Sequence, residues 1–190
     1  AIAEAWRAAT GLSIIDGYGL TEVAGVAAMN PFGHRVPRGG IGYPVCSTEI
    51  EIRRDDGTPA MPDEPGEIHI RGPQVMRGYY KQPEETARVL DSRGFLATGD
   101  IAAMSADGYL TLVDRKKDMA IVSGFNVYPR EVDDVLLRHP GIREAAAVAV
   151  PDARSGEAIV ACVVRGDPEL TEAAVIAHAR TSLTAYKVPR

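Results

Sequence analysis

Cysteine is rare in this sequence of 190 residues, long apolar runs are missing, and basic residues do not outnumber acidic ones. Cys46 and Cys162 lie far apart without Cys-x-x-Cys spacing, so we expect two reduced, buried thiols rather than a disulfide framework. No apolar run reaches membrane-spanning length and no signal-peptide pattern is visible, which favours a cytoplasmic protein. A net charge of −5 argues against nucleic acid as a partner.

Two common kinds of reactive site are also missing. The four histidines show no spacing typical of metal ligands, and no Gly-x-Ser-x-Gly or Cys/His pattern marks a nucleophile. The stretch Ser155-Gly156-Glu157 is typical of a loop. Any chemistry must therefore come from other residue types.

The composition is that of a globular protein, with 45% apolar and 25% charged residues. Residues 38–80 are rich in turn signals and contain short alternating runs such as Glu49–Ile52 and Glu67–Ile70. From Pro129 onward the pattern changes to helix, strand, strand, helix. The sequence therefore predicts an α+β fold, in which a small β-rich, distorted barrel-like part precedes a small α/β domain.

Local patterns predict the elements that surround this change. A helix ends at Gly11, a short buried strand follows at Leu12–Asp16, and another helix begins at Pro83. Strands at 109–113 and 119–122 flank a run of mixed charge, Asp114–Asp118, here called the charged segment. A tight hairpin turn normally uses Gly or Asn instead, so the charged segment is a candidate boundary between the two parts.

The stretch from Gly17 to Glu22 is the first candidate site. Glycines on both sides of Tyr18 allow the main chain to approach a ligand, and the tyrosine ring can cover a flat base. The Thr21 hydroxyl can contact a phosphate, and the Glu22 carboxylate can bind Mg²⁺. An ordinary turn between a strand and a helix explains the same residues equally well.

Further candidates lie downstream. Asp100 follows Thr98-Gly99 and can accept hydrogen bonds from both hydroxyls of a ribose, although a turn Asp that bonds its own backbone is the simpler alternative. Arg115 and Lys117 suit a solvated hairpin face, and Gly124 suits either a turn or the close approach of a thin ligand.

These positions belong to a series of short motifs along the whole chain. In order, the motifs are Asp16-Gly17-Tyr18-Gly19-Leu20-Thr21-Glu22, Pro65-Gly66-Glu67, Gly78-Tyr79-Tyr80, Thr98-Gly99-Asp100, Asp114–Asp118 and Gly124–Glu131. Their order and spacing resemble the adenylate-forming enzymes, a family of acyl-CoA synthetases, luciferases and peptide-synthetase adenylation domains. The runs Gly72–Met76, Val122–Pro129 and Leu183–Pro189 are similar to bacterial long-chain fatty acid–CoA ligases in particular.

The resemblance implies a ligase that uses ATP, Mg²⁺ and coenzyme A in two steps. A fatty carboxylate attacks the α-phosphate of ATP and gives acyl-AMP and pyrophosphate, and the coenzyme A thiol then displaces AMP. Thr21 and Glu22 are implied to be catalytic, with Glu22 as the Mg²⁺ ligand. The implied AMP- or ATP-binding residues are Asp16, Gly17, Tyr18, Gly19, Thr21, Asp100 and Arg115.

The resemblance also implies two domains that are joined by a hinge. Residues 1–116 would form the last part of a large AMP-binding domain, and residues 117–190 would form most of a small C-terminal domain. Lys117 falls on the hinge position, where a solvated segment tolerates large backbone changes. In this family the small domain rotates between the two steps, and Gly124 and Phe125 would then line the coenzyme A tunnel.

Two parts of the family's machinery are not in this sequence. Its phosphate-binding loop would precede Ala1, and its C-terminal catalytic lysine is absent, because Lys187 matches an earlier lysine. We therefore expect no ligase activity from these residues alone, and self-association through apolar surface of residues 1–37. Open alternatives are a medium-chain or aryl acid–CoA ligase, a fatty acyl-AMP ligase and a non-catalytic nucleotide-binding module. Peripheral membrane contact of the longer protein also stays open.

Overall fold

The computed structural model describes residues 2–32 and 39–190, and of Ile2 it describes the backbone alone. The chain divides into two compact units, Ala1–Leu112 and Val113–Arg190. The α+β fold predicted from the sequence is confirmed, since helices and several sheets occur along the chain. The domain boundary at 116 and the hinge at Lys117 stay predictions, because compactness does not show which residues move.

The described residues of the first unit form two sheets and two α-helices. The three-stranded sheet has the order β1-β2-β3 and consists of β1 (Gly17–Leu20), β2 (Gly25–Met29) and β3 (Tyr43–Pro44). The four-stranded sheet has the order β4-β5-β6-β7 and consists of β4 (Glu49–Arg53), β5 (Gly66–Arg71), β6 (Leu96–Met104) and β7 (Leu110–Arg115), whose last residues belong to the second unit. The helices are α1 (Ile2–Thr10) and α2 (Pro83–Val89).

Alternating isoleucines build the core of the first unit. Antiparallel pairing of β4 with β5 sets Ile50 opposite Ile70 and Ile52 opposite Ile68, and both isoleucines of β5 are fully buried. Burial of each such side chain contributes about 1.5–3 kcal/mol. The same cluster contains residues of the three-stranded sheet and its connections, namely Tyr18, Val23, Ala27 and Ala28. One core therefore supports both sheets.

The second unit is one antiparallel sheet with two helices. Its strand order is β10-β11-β8-β9, with β8 (Ala120–Val122), β9 (Phe125–Val127), β10 (Ile142–Asp152) and β11 (Gly156–Arg165). The helices are α3 (Pro129–Leu136) and α4 (Glu172–Arg180). The predicted apolar stripe of α3 is buried, and Thr171 caps α4 by accepting a hydrogen bond from the Ala174 N–H at 3.3 Å. Among the described residues, none of the helices is long and apolar enough to span a membrane.

The strand predicted at Leu12–Asp16 is wrong. The first strand begins at Gly17, and Leu12 is 64% exposed with Ile14 and Ile15 also exposed. A strand needs a hydrogen-bonding neighbour, and the pairing of β1 with β2 starts only at Gly17, opposite Met29. The apolar composition of this stretch therefore does not lead to a buried strand.

The predicted burial of the cysteines is also wrong, since Cys46 and Cys162 are both free and exposed. Cys162 lies on β11 between Ala161 and Val163, which pack against the core of the second unit. Because successive side chains of a strand point to opposite faces, Cys162 points away from that core.

The charged segment is not the turn of a hairpin. Lys116–Asp118 forms a short 3-10 helix with exposed side chains. The strands before and after it, β7 and β8, belong to different sheets. The hairpin interpretation of the charged segment is therefore wrong, and the segment is a connection between two sheets.

Candidate functional site

The first contact of the candidate site joins β1 to β6. The Tyr18 hydroxyl donates a hydrogen bond to Asp100 Oδ2 at 2.7 Å, across 82 residues of sequence. The Tyr18 ring is only 8% exposed, because it belongs to the hydrophobic core of the first unit. A carboxylate offers about four acceptor positions, of which this bond uses one. The core thus fixes the orientation of the Asp100 carboxylate through Tyr18.

Asp100 lies in a bulge of β6. The pairing of β5 with β6 shifts between Glu67 and His69, and residues Thr98–Asp100 of β6 occupy the irregular stretch. The Gly99 N–H donates to Glu67 Oε1 at 3.0 Å, so two of the sequence motifs meet here. Bulges change the direction of side chains, and this one sets Asp100 next to Tyr18.

Glu22 lies in a 3-10 helix, Thr21–Val23, directly after β1. Its Oε1 atom accepts a hydrogen bond from the Tyr79 hydroxyl at 2.9 Å, across 57 residues of sequence. Its backbone carbonyl accepts a second bond from the Met76 N–H at 2.7 Å. The bond to Glu22, aided by burial, raises the pKa of Tyr79 above its ordinary value.

Glu22 fits a divalent cation that has other ligands as well. Mg²⁺ in nucleotide sites normally takes one or two carboxylates and completes its shell with phosphate oxygens and water. Within residues 2–32 and 39–190, no group of three or more His, Cys, Asp or Glu side chains could hold a metal by itself. His34, one of the four histidines, lies outside the described residues. The donor set therefore fits a cation shared with phosphates.

The other predicted residues of this stretch lie along β1 and its ends. Asp16, Gly17 and Thr21 are exposed. The close packing of the β1–β2 hairpin explains the glycine at position 19. A Cβ on Gly19 would lie 1.6 Å from the carbonyl oxygen of Gly25. Nucleotide contact by these residues stays a prediction.

A buried polar network that the sequence analysis missed supports the start of β1. Asn30 is buried, and its Nδ2 donates to the carbonyl oxygens of Gly40 at 2.8 Å and Asp16 at 3.3 Å. The Tyr109 hydroxyl donates to Asn30 Oδ1 at 2.9 Å. An Asn after an apolar strand looks like an ordinary turn residue, so the sequence contains no signal for this role.

Two predicted residues lie at the charged segment. Arg115 ends β7, Lys117 lies in the following 3-10 helix, and both are exposed. The Asp114 carboxylate accepts hydrogen bonds from the Arg115 N–H at 2.8 Å and from the Arg130 N–H at 3.0 Å. Arg130 belongs to the first turn of α3, where a negative charge is favourable. Asp114 therefore attaches the charged segment to α3.

Gly124 and Phe125 lie in the hairpin of β8 and β9. Its two-residue turn has φ of 52° at Ser123 and 84° at Gly124, which is the pattern of a type I′ turn. Phe125 is exposed, and its ring stacks on Tyr186 with 4.7 Å between the ring centroids. The hairpin thus presents an aromatic pair beside a turn that has no bulky side chain.

Comparison with known proteins gives the family. The family model for "AMP-binding enzyme" matches residues 1–80, and the model for "AMP-binding enzyme C-terminal domain" matches residues 131–190. The chain belongs to the AMP-binding enzymes. The resemblance found in the sequence is therefore confirmed.

Curated relatives of this chain include ligases for different acids. The long-chain-fatty-acid–CoA ligase of Escherichia coli O157:H7 is 49% identical over 189 residues, which is 100% of this chain and 34% of that enzyme. The sulfoacetate–CoA ligase of Cupriavidus necator strain H16 is 43% identical over 188 residues, which is 98% of this chain and 37% of that enzyme. The chain thus spans about a third of the length of these relatives.

A solved structure contains the fold of this chain. ATP-bound MatB from Rhodopseudomonas palustris superimposes with a TM-score of 0.91 at 34% identity. The superposition covers 99% of this chain and 38% of that chain.

Proposed function

We propose that this chain is part of an ATP-dependent, AMP-forming long-chain fatty acid–CoA ligase. Its main support is the pair of hydrogen bonds from Tyr18 to Asp100 and from Tyr79 to Glu22, since each joins distant motifs at the residues needed for a nucleotide. The identity of 49% to a long-chain ligase supports the choice of acid. Because the chain spans about a third of such enzymes, the reaction is assigned to the longer protein.

The adenosine part of the nucleotide would bind at Asp100. Its carboxylate, already oriented by Tyr18, would accept hydrogen bonds from the ribose hydroxyls. Arg115 would contact the same sugar, and the small exposed part of the Tyr18 ring would contact the base. Asp16, Gly17 and Gly19 would lie along the edge of the base, where the main chain is accessible.

The first step joins the acid to AMP. An oxygen of the fatty carboxylate bonds to the α-phosphorus, and the bond from that phosphorus to pyrophosphate breaks. Enzymes accelerate such transfers chiefly by positioning and by neutralising charge on the phosphate oxygens. Thr21 would donate to an α-phosphate oxygen, and Glu22 would bind Mg²⁺, which supplies positive charge to the phosphates when bound.

The second step makes the thioester. The sulfur of coenzyme A bonds to the acyl carbon, and the bond from that carbon to the AMP oxygen breaks. Gly124 and Phe125 would line the path of the pantetheine arm, since the turn at Gly124 has no side chain to obstruct it. Lys117 would lie at the hinge about which the small domain rotates between the two steps. We further propose that the enzyme is cytoplasmic, with fatty acid, ATP and coenzyme A as its partners.

The acid is tested by ATP–pyrophosphate exchange on the longest natural protein that carries this sequence. A panel of palmitate, octanoate, benzoate and sulfoacetate separates the long-chain reaction from its alternatives, and we expect palmitate to give the fastest exchange. A preference for benzoate or sulfoacetate would contradict the long-chain assignment. Exchange by residues 1–190 alone, at the rate of the longer protein, would contradict the expectation that they are inactive.

The nucleotide site is tested in the same assay with Asp100→Ala. Loss of hydrogen bonds to a charged group costs about 1.5–3 kcal/mol, so the KM for ATP should rise about 10- to 100-fold. The matched control is Glu84→Ala, which removes an exposed carboxylate from α2 and should leave the KM unchanged. Equal behaviour of the two variants would remove the support for nucleotide binding at Asp100.

A further inference from the structure

Hydrogen bonds link the loop from Met76 to Tyr79 both to α2 and to the 3-10 helix that contains Glu22. At one end, the Tyr79 N–H donates to Thr86 Oγ1 of α2 at 2.9 Å. At the other end, the Met76 N–H donates to the Glu22 carbonyl oxygen at 2.7 Å. Backbone hydrogen bonds therefore attach this loop both to a helix and to the backbone of Glu22.

The Tyr79 side chain adds a third bond that has a different target. Its hydroxyl donates to Glu22 Oε1 at 2.9 Å, which is the carboxylate and not the backbone. The loop is already attached without this bond, because the two backbone donors do not depend on the phenol. The hydroxyl thus contributes chiefly to the orientation of the Glu22 side chain.

We propose that Tyr79 is a positioning residue for Glu22 in nucleotide-dependent cation binding. The phenol bonds Oε1 and so restricts the orientation of the Glu22 carboxylate, which would then bind the cation. This inference rests on the proposed function, in which Glu22 is the carboxylate ligand of Mg²⁺. Groups that orient metal ligands typically change metal affinity by 10- to 100-fold when removed. Tyr79 is partly exposed, so water replaces part of its effect and we expect a smaller change.

The neighbouring tyrosine provides a matched control. Tyr80 directly follows this loop, is 84% exposed and has Lys81 Nζ 5.3 Å from its ring centroid. Tyr79→Phe and Tyr80→Phe each remove one phenolic oxygen and keep the ring. Of the two lost hydroxyls, the one of Tyr79 is bonded to Glu22.

The experiment measures Mn²⁺ binding in the presence of ATP, by electron paramagnetic resonance, on the longest natural protein that carries this sequence. Tyr79→Phe should weaken Mn²⁺ binding about three- to tenfold, and Tyr80→Phe should not change it. In a Glu22→Gln background, Tyr79→Phe should have no further effect, since the oriented carboxylate is gone. The melting temperatures of both tyrosine variants should stay close to that of the wild type.

Each other outcome overturns the inference in a distinguishable way. If the wild type binds Mn²⁺ with ATP and Tyr79→Phe binds it equally well, the positioning role is wrong and the proposed function is unaffected. If Tyr79→Phe lowers the melting temperature without changing Mn²⁺ affinity, the hydroxyl has only a structural role. If the wild type shows no ATP-dependent Mn²⁺ binding, the proposed function fails and the inference fails with it.

Discussion

At the scale of single residues, Tyr18 has two physical tasks. Its ring fills the core of the first unit, and its hydroxyl orients the Asp100 carboxylate. A buried aromatic residue with a hydroxyl suits both tasks, because the ring contributes apolar area while the polar end needs a partner. The position therefore connects the stability of the fold to the geometry of the candidate site.

The two glycines beside Tyr18 should respond differently to alanine. In Gly19→Ala, the new Cβ would lie 1.6 Å from the Gly25 carbonyl oxygen, so the β1–β2 hairpin must separate. Overpacking typically costs about 1–3 kcal/mol and sometimes more, so we expect a loss of at least about 3 kcal/mol in the free energy of unfolding. Urea denaturation measures this loss.

Gly17→Ala is the control for that measurement. Its Cβ would meet the Ala28 carbonyl oxygen at 3.5 Å, which is ordinary contact, so we expect a change below about 1 kcal/mol. Equal destabilisation by the two substitutions would show that the close approach at Gly19 does not determine stability.

The sequence motifs marked candidate site residues, whose roles in nucleotide binding stay predictions. Tyr18, Glu22 and Asp100 stood in ordered motifs, and the structure places hydrogen-bonded partners beside all three. The specific roles of Tyr79 and Asn30 were missed, because each depends on a contact with a residue that is distant in sequence. Side-chain partners over such separations follow from the folded topology, which local patterns do not encode.

At the scale of elements, the β8–β9 hairpin is well defined by its turn. Type I′ turns require positive φ at both central residues and therefore favour Asn-Gly, whereas this chain has Ser123 followed by Gly124. Ser is less suited than Asn to the left-handed conformation. The hairpin thus has an unfavourable first position and a favourable second one.

Two substitutions in this turn should change the free energy of unfolding in opposite directions. Ser123→Asn should raise the free energy of unfolding by about 0.5 kcal/mol, since Asn adopts positive φ more readily. Gly124→Ala should lower it by about 1–2 kcal/mol, although nothing lies within 4 Å of the new Cβ, because alanine is strained at φ of 84°. Thermal and urea denaturation measure both, and equal signs would contradict the assignment of the turn.

Elements with complete local signals could be predicted, and elements that need a distant partner could not. The helix at Pro129 has a proline in its first turn and an apolar stripe, and both signals lie within its own sequence. The strand expected at Leu12–Asp16 has an apolar composition but, among residues 2–32 and 39–190, no β-ladder partner. Strand formation is decided by pairing, which a sequence window does not contain.

At the scale of the whole molecule, the first 32 residues expose much apolar surface. Phe32 is 75% exposed, and several other large apolar side chains are at least partly accessible, namely Trp6, Leu12, Ile14, Ile15 and Val26. Scattered exposed apolar residues are normal, but so many within one short stretch favour association with another surface.

We therefore expect this chain to self-associate as its concentration rises. The double variant Leu12→Ser/Phe32→Ser should reduce association, because it removes two of the most exposed apolar side chains of this stretch. Met61→Ser is the control, since Met61 is similarly exposed but lies elsewhere in the sequence. Light scattering over a concentration series measures the mass, and a monomer at every concentration would contradict the expectation.

The hydrogen bond from the Arg130 N–H to Asp114 has a topological consequence. Asp114 precedes Lys117 in the sequence and Arg130 follows it, so the backbone between them and this bond together form a closed ring. Rotation about the backbone of Lys117 cannot swing α3 freely while the ring is intact. Either the ring opens, which costs about 1.5–3 kcal/mol for one bond to a charged group, or the pivot lies before Asp114. In the predicted hinge motion, the carboxylate of Asp114 would thereby determine which peptide unit can be the axis.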